Sequence, residues 1–269
     1  MRRPAAVSGL FYPDNPDELR AYLSSVLDLH REKREIKAAL APHAGYIYSG
    51  KTAAACYSMF KQSDCYIILA PNHTGLGSPF SIMTGGTYTT PLGDVEIDEE
   101  LSLKILKNST ILEEDPIAQI KEHAIEVQLP FLQFLSEKAG RSFKIVPIVL
   151  ATQQFDDLEE IGVAIASAIG KRSAVIIASS DMNHYESQEI TQKKDSLAIE
   201  QMLMYSPFGL LETVQKNSIT MCGVGPAVSA MIAAKHLGAS KAELIAHSTS
   251  AEINHDYHNI VGYSSIIFY

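Results

Sequence analysis

Residues 36–70 read IKAALAPHAGYIYSGKTAAACYSMFKQSDCYIILA, and this stretch decides the fold of the chain. The short apolar runs at 36–41 and 65–70 predict two buried strands, and the apolar spacing across 49–60 predicts a helix between them. Together they form a βαβ unit, in which the crossover is right-handed and the strands are parallel. Both strands are therefore expected to end at the same edge of the sheet.

A histidine follows each of these strands. His43 lies in APHAGYIYSG after the first strand, and His73 lies in APNHTGLGS after the second. The edge at which parallel strands end is where open α/β sheets bind ligands. Two neutral imidazoles at this edge suit a divalent transition metal, whereas each ring taken alone is also compatible with a hydrogen bond to its own loop.

The remainder of the chain alternates helical and strand patterns. Asn15 and Pro16 are typical of an N-cap and a first-turn proline, so a helix is expected over residues 17–32. Further helices are predicted at 99–107, 124–138, 158–171, 192–204, 208–216 and 225–237. Further strands are predicted at 144–150, 174–178, 242–247 and 260–268. This alternation predicts a single three-layer α/β/α domain over residues 1–269, with a mostly parallel or mixed central sheet.

A third strand end carries Asp181 and His184, in the stretch ASSDMNHYESQ. A carboxylate and an imidazole this close together can share one pocket. There Asp181 would orient His184 for acid–base catalysis, or both would act as metal ligands. The alternative is that Asp181 caps the turn and His184 is a surface loop residue.

Cys222, in SITMCGVGPAVSA, precedes a helix instead of following a strand. The turn from Gly223 to Pro226 places the thiol near the positive end of that helix, where a thiolate is favoured. A thiolate at this position would complete a metal site or act as a nucleophile, and the alternative is a buried thiol that only packs. Cys56 and Cys65 fall on apolar surfaces and are interpreted as inert core thiols.

Two further pairs of side chains could bind a metal or transfer protons, but the sequence around them gives less support for a functional site. His123 and Glu126, in KEHAIEVQLPFLQ, are expected to open an amphipathic helix. His123 either reaches the pocket from there, or the pair forms an exposed helix N-terminus. His255 and His258, in EINHDYHNIVGYSS, have a spacing that suits a metal, and the alternative for them is a solvated loop.

The composition argues against nucleic-acid-binding, membrane-spanning and disulfide-rich proteins. The formal net charge is −9 and no run of basic residues is present, which argues against nucleic acid or an anionic membrane surface as the main partner. No apolar run approaches the length of a membrane span, and the N-terminus lacks the features of a signal peptide. The 3 cysteines are too few and too scattered for a disulfide framework, which is typical of a cytoplasmic protein.

These motifs together resemble the Memo family, whose prokaryotic members are called the AmmeMemoRadiSam system protein B. The resemblance runs nearly from end to end, and it is carried by PAAVSGLFYPDNPDEL, APHAGYIYSG, APNHTGLG, EHAIEVQLPFLQ, SSDMNHY, MCGVGPAVSAM and VGYSS. The family is similar in fold to the class III, LigB-like extradiol dioxygenases. A LigB-like sheet and a pocket at its edge are what this resemblance implies.

The resemblance also implies a ligand set. His43, His73 and Cys222 match the residues of the family's pocket, and Asp181 and His184 match its SSD..H stretch. In the dioxygenases, two histidines and a glutamate hold iron(II), and a further histidine handles protons. Cys222 stands where that carboxylate would be, and a thiolate shifts metal preference toward copper(I), zinc or thiolate-bound iron.

Three classes of function are compatible with the sequence. The first is a redox enzyme that uses iron(II), or alternatively copper or zinc, with His184, Asp181 and His123 as the catalytic side chains. The second is a module that binds a small molecule or peptide without turnover, and the third is an iron- or copper-handling protein. The family association also implies a pathway shared with an AMMECR-type protein and a radical-SAM enzyme.

Overall fold

A computed structural model describes residues 1–269 of the chain. Its short apolar runs form strands, and the segments between many of them form helices. The strands are β1 Arg2–Arg3, β2 Ala38–Ala41, β3 Cys65–Pro71, β4 Phe80–Ile82, β5 Thr87–Thr90, β6 Gly93–Glu96, β7 Glu113–Glu114, β8 Lys144–Leu150, β9 Ala174–Ser179, β10 His184–Glu186, β11 Ala242–Thr249 and β12 Ile260–Phe268. The α-helices are α1 Pro16–Val26, α2 Tyr46–Tyr57, α3 Glu99–Asn108, α4 Leu129–Ala139, α5 Phe155–Ile169, α6 Gln188–Leu203, α7 Pro207–Lys216, α8 Val224–His236 and α9 Ala251–Asn254. Short 3-10 turns cover Ile117–Gln119 and Glu126–Gln128. None of the helices combines the length and apolar character that a membrane span requires.

The central sheet is mixed. Its strands run in the order β10-β12-β2-β9-β3-β8-β4-β7, and β11 pairs with β12. The four middle strands, β2, β9, β3 and β8, are mutually parallel, whereas β12 and β4 flank them in antiparallel orientation. A second, three-stranded sheet of β1, β5 and β6, which the sequence pattern did not predict, lies outside this order.

Two hydrophobic cores cover the two faces of the central sheet. Alternate residues of one strand enter different cores: Ala38 and Leu40 belong to the first, and Ala39 and Ala41 to the second. Helices α3, α5, α6, α7 and α8 contribute to the first core, and α1, α2 and α4 to the second. This confirms the predicted three-layer α/β/α architecture with a mixed sheet.

The βαβ unit differs from the prediction in one respect. Its strands β2 and β3 are parallel, but β9 lies between them and pairs with both. The α2 crossover packs on one face, and the α5 crossover from β8 to β9 packs on the other, which allows β9 to enter the gap. The strand ends that carry His43 and His73 still lie at one edge of the sheet.

Two predicted helices are shorter than expected. Asn15 caps α1 by accepting hydrogen bonds from the backbone N–H groups of Asp17 and Glu18, as predicted, but the helix ends at Val26. The chain turns there because Leu27 is extended and buried in the second core. The predicted helix at 124–138 begins only at Leu129.

Proline explains the late start of α4. Pro130 has no backbone N–H and is tolerated only in the first turn of a helix, so a helix beginning at Ala124 would have an interior proline. Residues Glu126–Gln128 form a 3-10 turn instead. The alternative that Glu126 lies at an exposed helix N-terminus is wrong, because its side chain is fully buried.

The N-terminal segment is held by a buried ion pair between Arg3 and Glu126, both with 0 % of the side chain exposed. The Glu126 carboxylate also accepts hydrogen bonds from the Ala6 and Val7 backbone and from the Tyr12 hydroxyl. Arg3 donates further hydrogen bonds to backbone carbonyl groups. Each guanidinium nitrogen of Arg3 and each carboxylate oxygen of Glu126 therefore has a partner inside the protein.

We expect Arg3→Ala to lower the free energy of unfolding by about 3–5 kcal/mol, because it leaves the Glu126 carboxylate buried without its counter-ion. Urea denaturation of the two proteins measures this. The matched control is Arg2→Ala: Arg2 pairs with Asp94 at 3.0 Å, but 68 % of its side chain is exposed. An exposed pair of this kind contributes less than about 1 kcal/mol. Equal losses in the two variants would contradict the assignment.

Candidate metal centre

Three donor side chains converge at the carboxyl edge of the parallel strands. His43 follows β2, His73 follows β3, and Cys222 comes just before α8. One donor atom from each lies within 4.8 Å of the others. The Cys222 Sγ atom is 3.2 Å from His43 Nε2, and the centroids of the two imidazole rings are 5.0 Å apart. The sequence-predicted ligands are thus brought together in space.

The tautomer of His43 is fixed by a buried hydroxyl. Ser179 Oγ donates its single hydrogen to the Ala124 carbonyl at 2.7 Å and accepts a hydrogen bond from Gln128 Nε2 at 2.8 Å. Because that hydrogen is already used, His43 Nδ1, 3.0 Å from the hydroxyl, must be the donor between them. The lone pair of His43 is therefore on Nε2, the nitrogen that faces Cys222.

A buried carboxylate, Glu122, fixes the tautomer of His73. Its two oxygens accept hydrogen bonds from His73 Nδ1 at 2.9 Å and from the His73 backbone N–H at 2.7 Å. Burial alone would raise the pKa of Glu122, but hydrogen bonds from the His73 ring and from the backbone N–H groups of His73 and Ala124 outweigh it and hold that pKa at about 2. A carboxylate–histidine pair of this kind orients metal-ligating imidazoles. Sequence reasoning missed Glu122, although it stands directly before His123.

His123 completes a cluster of three imidazoles. Its ring stacks on His73 with centroids 4.7 Å apart and meets His43 edge-on at 5.4 Å. His73, Glu122 and His123 form a second group of donors within 4.8 Å of one another. Phe11 packs edge-on against His123 from the outside at 4.9 Å. The expectation that His123 reaches the pocket agrees with this placement, although the residue lies in a loop.

Asp181 does not orient His184. Its Oδ1 atom accepts hydrogen bonds from the backbone N–H groups of His43, at 2.8 Å, and Ala44, at 3.2 Å. Burial raises the pKa of Asp181, since a charged carboxylate is poorly solvated there. No hydrogen bond joins its carboxylate to His184. The carboxylate therefore holds the loop that carries His43.

His184 is oriented instead by the segment that leads to Cys222. Its Nδ1 atom donates to the Thr220 carbonyl at 2.9 Å, and its backbone N–H donates to the Thr220 hydroxyl at 2.7 Å. A carbonyl only accepts, so Nδ1 carries the hydrogen and Nε2 has no partner within the protein. The ring is partly exposed at the edge of the pocket. It is thus placed to take a proton from a bound molecule.

The environment of Cys222 opposes the expected thiolate. Burial raises the pKa of this thiol, and the nearby Asp181 raises it further. These effects outweigh the backbone N–H of Gly223 at the start of α8, which acts in the opposite direction. His43 is affected in the complementary sense, because burial lowers its pKa. Burial therefore favours the uncharged form of both groups.

The remaining cysteine and histidine candidates lie elsewhere. Cys56 and Cys65 are buried in the two cores, where burial raises the pKa of both thiols, as expected of inert residues. His255 and His258 are exposed and join neither group of metal-capable side chains. His255 has a left-handed backbone conformation, with φ at 56°. Of the two alternatives for these histidines, the structure favours the solvated loop.

Comparison with known proteins places this arrangement in a family. A family model described as "Memo-like protein" matches residues 3–267. A MEMO1 family protein of Methanocaldococcus jannaschii is 43 % identical, and the match covers 98 % of each chain. A MEMO1 family protein of Aquifex aeolicus is 41 % identical, with 99 % of this chain and 98 % of that one covered.

A solved structure supports the fold alone. The crystal structure of an uncharacterized protein from Escherichia coli K12 superposes with a TM-score of 0.51. The superposition covers 87 % of this chain and 100 % of that one, at 10 % sequence identity.

We expect Asp181→Ala to lower the free energy of unfolding by about 1–3 kcal/mol, because it leaves two backbone N–H groups without an acceptor. Asp181→Asn is the matched control, since its side-chain oxygen can still accept from His43 and Ala44. Thermal and urea unfolding measure both variants. If the asparagine variant is as unstable as the alanine variant, the carboxylate does not act through these hydrogen bonds.

Proposed function

This chain belongs to the Memo family, and on that premise we propose that it is a metal-dependent redox protein that binds one transition-metal ion through His43, His73 and Cys222. One observation carries the proposal. Two imidazoles with their Nε2 lone pairs fixed by separate buried partners meet a thiol sulfur, with the three donor atoms within 4.8 Å of one another. Fixing the tautomer of each ligand in advance is typical of metal centres.

The donor set fits iron(II) or copper better than a hard cation such as magnesium. Imidazole and thiolate ligands suit iron, copper and zinc, whereas magnesium prefers oxygen donors. Three protein ligands are also fewer than a closed structural site uses, so positions remain for a substrate. When bound, such an ion would supply Lewis acidity or electron transfer to that substrate.

The residues around the three ligands would perform the remaining tasks. His184 would accept a proton through Nε2, because its Nδ1 is already committed to Thr220. Glu122 would hold His73, and Asp181 would hold the loop that carries His43. His123 would form a wall of the pocket and contact a bound molecule.

A second candidate function is binding of a small molecule or peptide without turnover. Exposed apolar side chains next to the site favour it. Tyr185, beside His184, is 75 % exposed, and Ile47, at the start of α2 after the His43 loop, is 67 % exposed. Leu76, in the loop after His73, is 44 % exposed. Each of these side chains lies close in the sequence to a site residue, where it would contact an apolar or aromatic partner bound there.

Metal analysis tests the ligand set. Protein produced with added iron(II) is expected to hold about one ion per chain, as a mononuclear site would. His43→Ala and Cys222→Ser are expected to retain less than about a tenth of it, since each removes one of three ligands. Elemental analysis after gel filtration measures the content. His258→Ala is the matched control, because it removes an exposed histidine outside the pocket. Unchanged metal in the pocket variants would refute the site.

Oxygen uptake separates catalysis from binding. Anaerobically prepared iron(II) protein is expected to consume dioxygen when an aromatic diol is added, and His184→Ala is expected to slow this by about 10²–10⁴-fold. The metal content of that variant should equal that of the wild type, because His184 is not among the ligands. An oxygen electrode measures the rate. Metal-loaded protein that consumes no dioxygen with any diol would favour the binding function instead.

A further inference from the structure

A cleft of about 380 Å³ lies at the edge of the sheet opposite the metal centre. It is formed where the neighbouring parallel strands β2, β9 and β3 begin, and the loop after α5 closes one side. Lys37 precedes β2, Lys61 lies ahead of β3, and Ser173 precedes β9, so three separate chain segments build it. Its size falls within the range of small-molecule pockets.

The charge of this cleft is opposite to that of the whole chain. Four cationic side chains line it, Lys37, Lys61, Lys171 and Arg172, against the single carboxylate of Glu35. The chain as a whole has a formal net charge of −9. Lys37 pairs with Glu35 at 3.1 Å, and Arg172 pairs with carboxylates at the start of α3. Lys61 and Lys171 form no ion pair within 4.0 Å, although the charge of Lys61 contributes to lowering the pKa of Glu35.

Neutral donors accompany these charges. The backbone N–H groups of Gln62, Lys171 and Ser173 have no acceptor within the protein. The hydroxyls of Ser63 and Ser173 face each other at 3.1 Å. Unpaired backbone N–H groups beside lysines are how proteins commonly bind phosphate oxygens. The cleft therefore offers both the charge and the hydrogen-bond donors that a phosphate group needs.

Stabilisation of a helix end explains only two of the four cationic side chains in the cleft. Lys171 and Arg172 follow the end of α5, where cations stabilise the negative end of the helix dipole. Lys37 and Lys61 belong to other segments and are not at the end of α5. Convergence of cations from separate segments on one concave surface is what a ligand site requires.

We propose that this cleft binds a small phosphorylated molecule, with its phosphate oxygens on Lys61, Lys171 and the unpaired backbone N–H groups. Ile36, Ile169 and Val175 also line the cleft, but they are almost fully buried in the two cores, so recognition rests on the polar groups. The site is independent of the metal centre, which lies at the other edge of the sheet.

Calorimetric titration with two probes, ADP and inorganic pyrophosphate, tests the proposal on the full chain at low ionic strength. Saturable binding of both probes is expected, because both present phosphate oxygens to the same lysines and backbone N–H groups. The double variant Lys61→Gln/Lys171→Gln is expected to raise the Kd for ADP by about tenfold or more, the effect of losing charge-assisted hydrogen bonds. The double variant Lys51→Gln/Lys193→Gln is the matched control, because both lysines are exposed and outside the cleft.

Each remaining outcome counts against the site. Equal weakening in the two double variants would mean that ADP binds through the general surface charge. Binding of ADP without binding of pyrophosphate would mean that the cleft does not recognise the phosphate groups, and no saturable binding of either probe would refute the site. Circular dichroism of both double variants is expected to match the wild type, since all four lysines lie at the surface.

Discussion

The parallel arrangement of β2, β9, β3 and β8 is the constraint on which the rest of the structure depends. Parallel neighbours must end at the same edge, so loops that are distant in the sequence meet there. The loops after β2 and β3 bring His43 and His73 together, and the loop after β9 brings Asp181 beside them. Because these strands also begin at one common edge, the segments that precede them lie close together at the opposite edge of the sheet. The basic cleft is formed there.

Buried polar groups then give this edge a defined geometry. Ser179 and Glu122 each accept the Nδ1 hydrogen of one histidine, and both are fully buried. Glu122 is itself held, because Arg3 donates to its backbone carbonyl. The N-terminal segment therefore supports the pocket without contributing a ligand to it. Water is excluded from this network, so a polar group that lost its hydrogen bond would destabilise the folded protein. The side chains therefore keep one hydrogen-bonded arrangement.

Much of the fold and part of the site could be predicted from the sequence. Apolar runs predicted the main strands, and strand ends predicted that His43, His73 and Asp181 would converge. The pattern could not predict that β9 enters between β2 and β3, because strand order depends on which face each crossover covers. It also missed Glu122, since the hydrogen bonds that keep a buried glutamate ionised come from residues far along the chain. The sequence also could not reveal that Cys222 is partly buried, and burial opposes the thiolate that its position before α8 favours.

The ion pair between Arg3 and Glu126 has a consequence for how the chain is made. The two residues are 123 positions apart, so Arg3 leaves the ribosome long before its counter-ion exists. Until then the first residues have no buried site to enter, and β1 has no neighbour, because β5 begins only at Thr87. The first residues to be synthesised therefore acquire their buried native contacts only after residue 126 has been made.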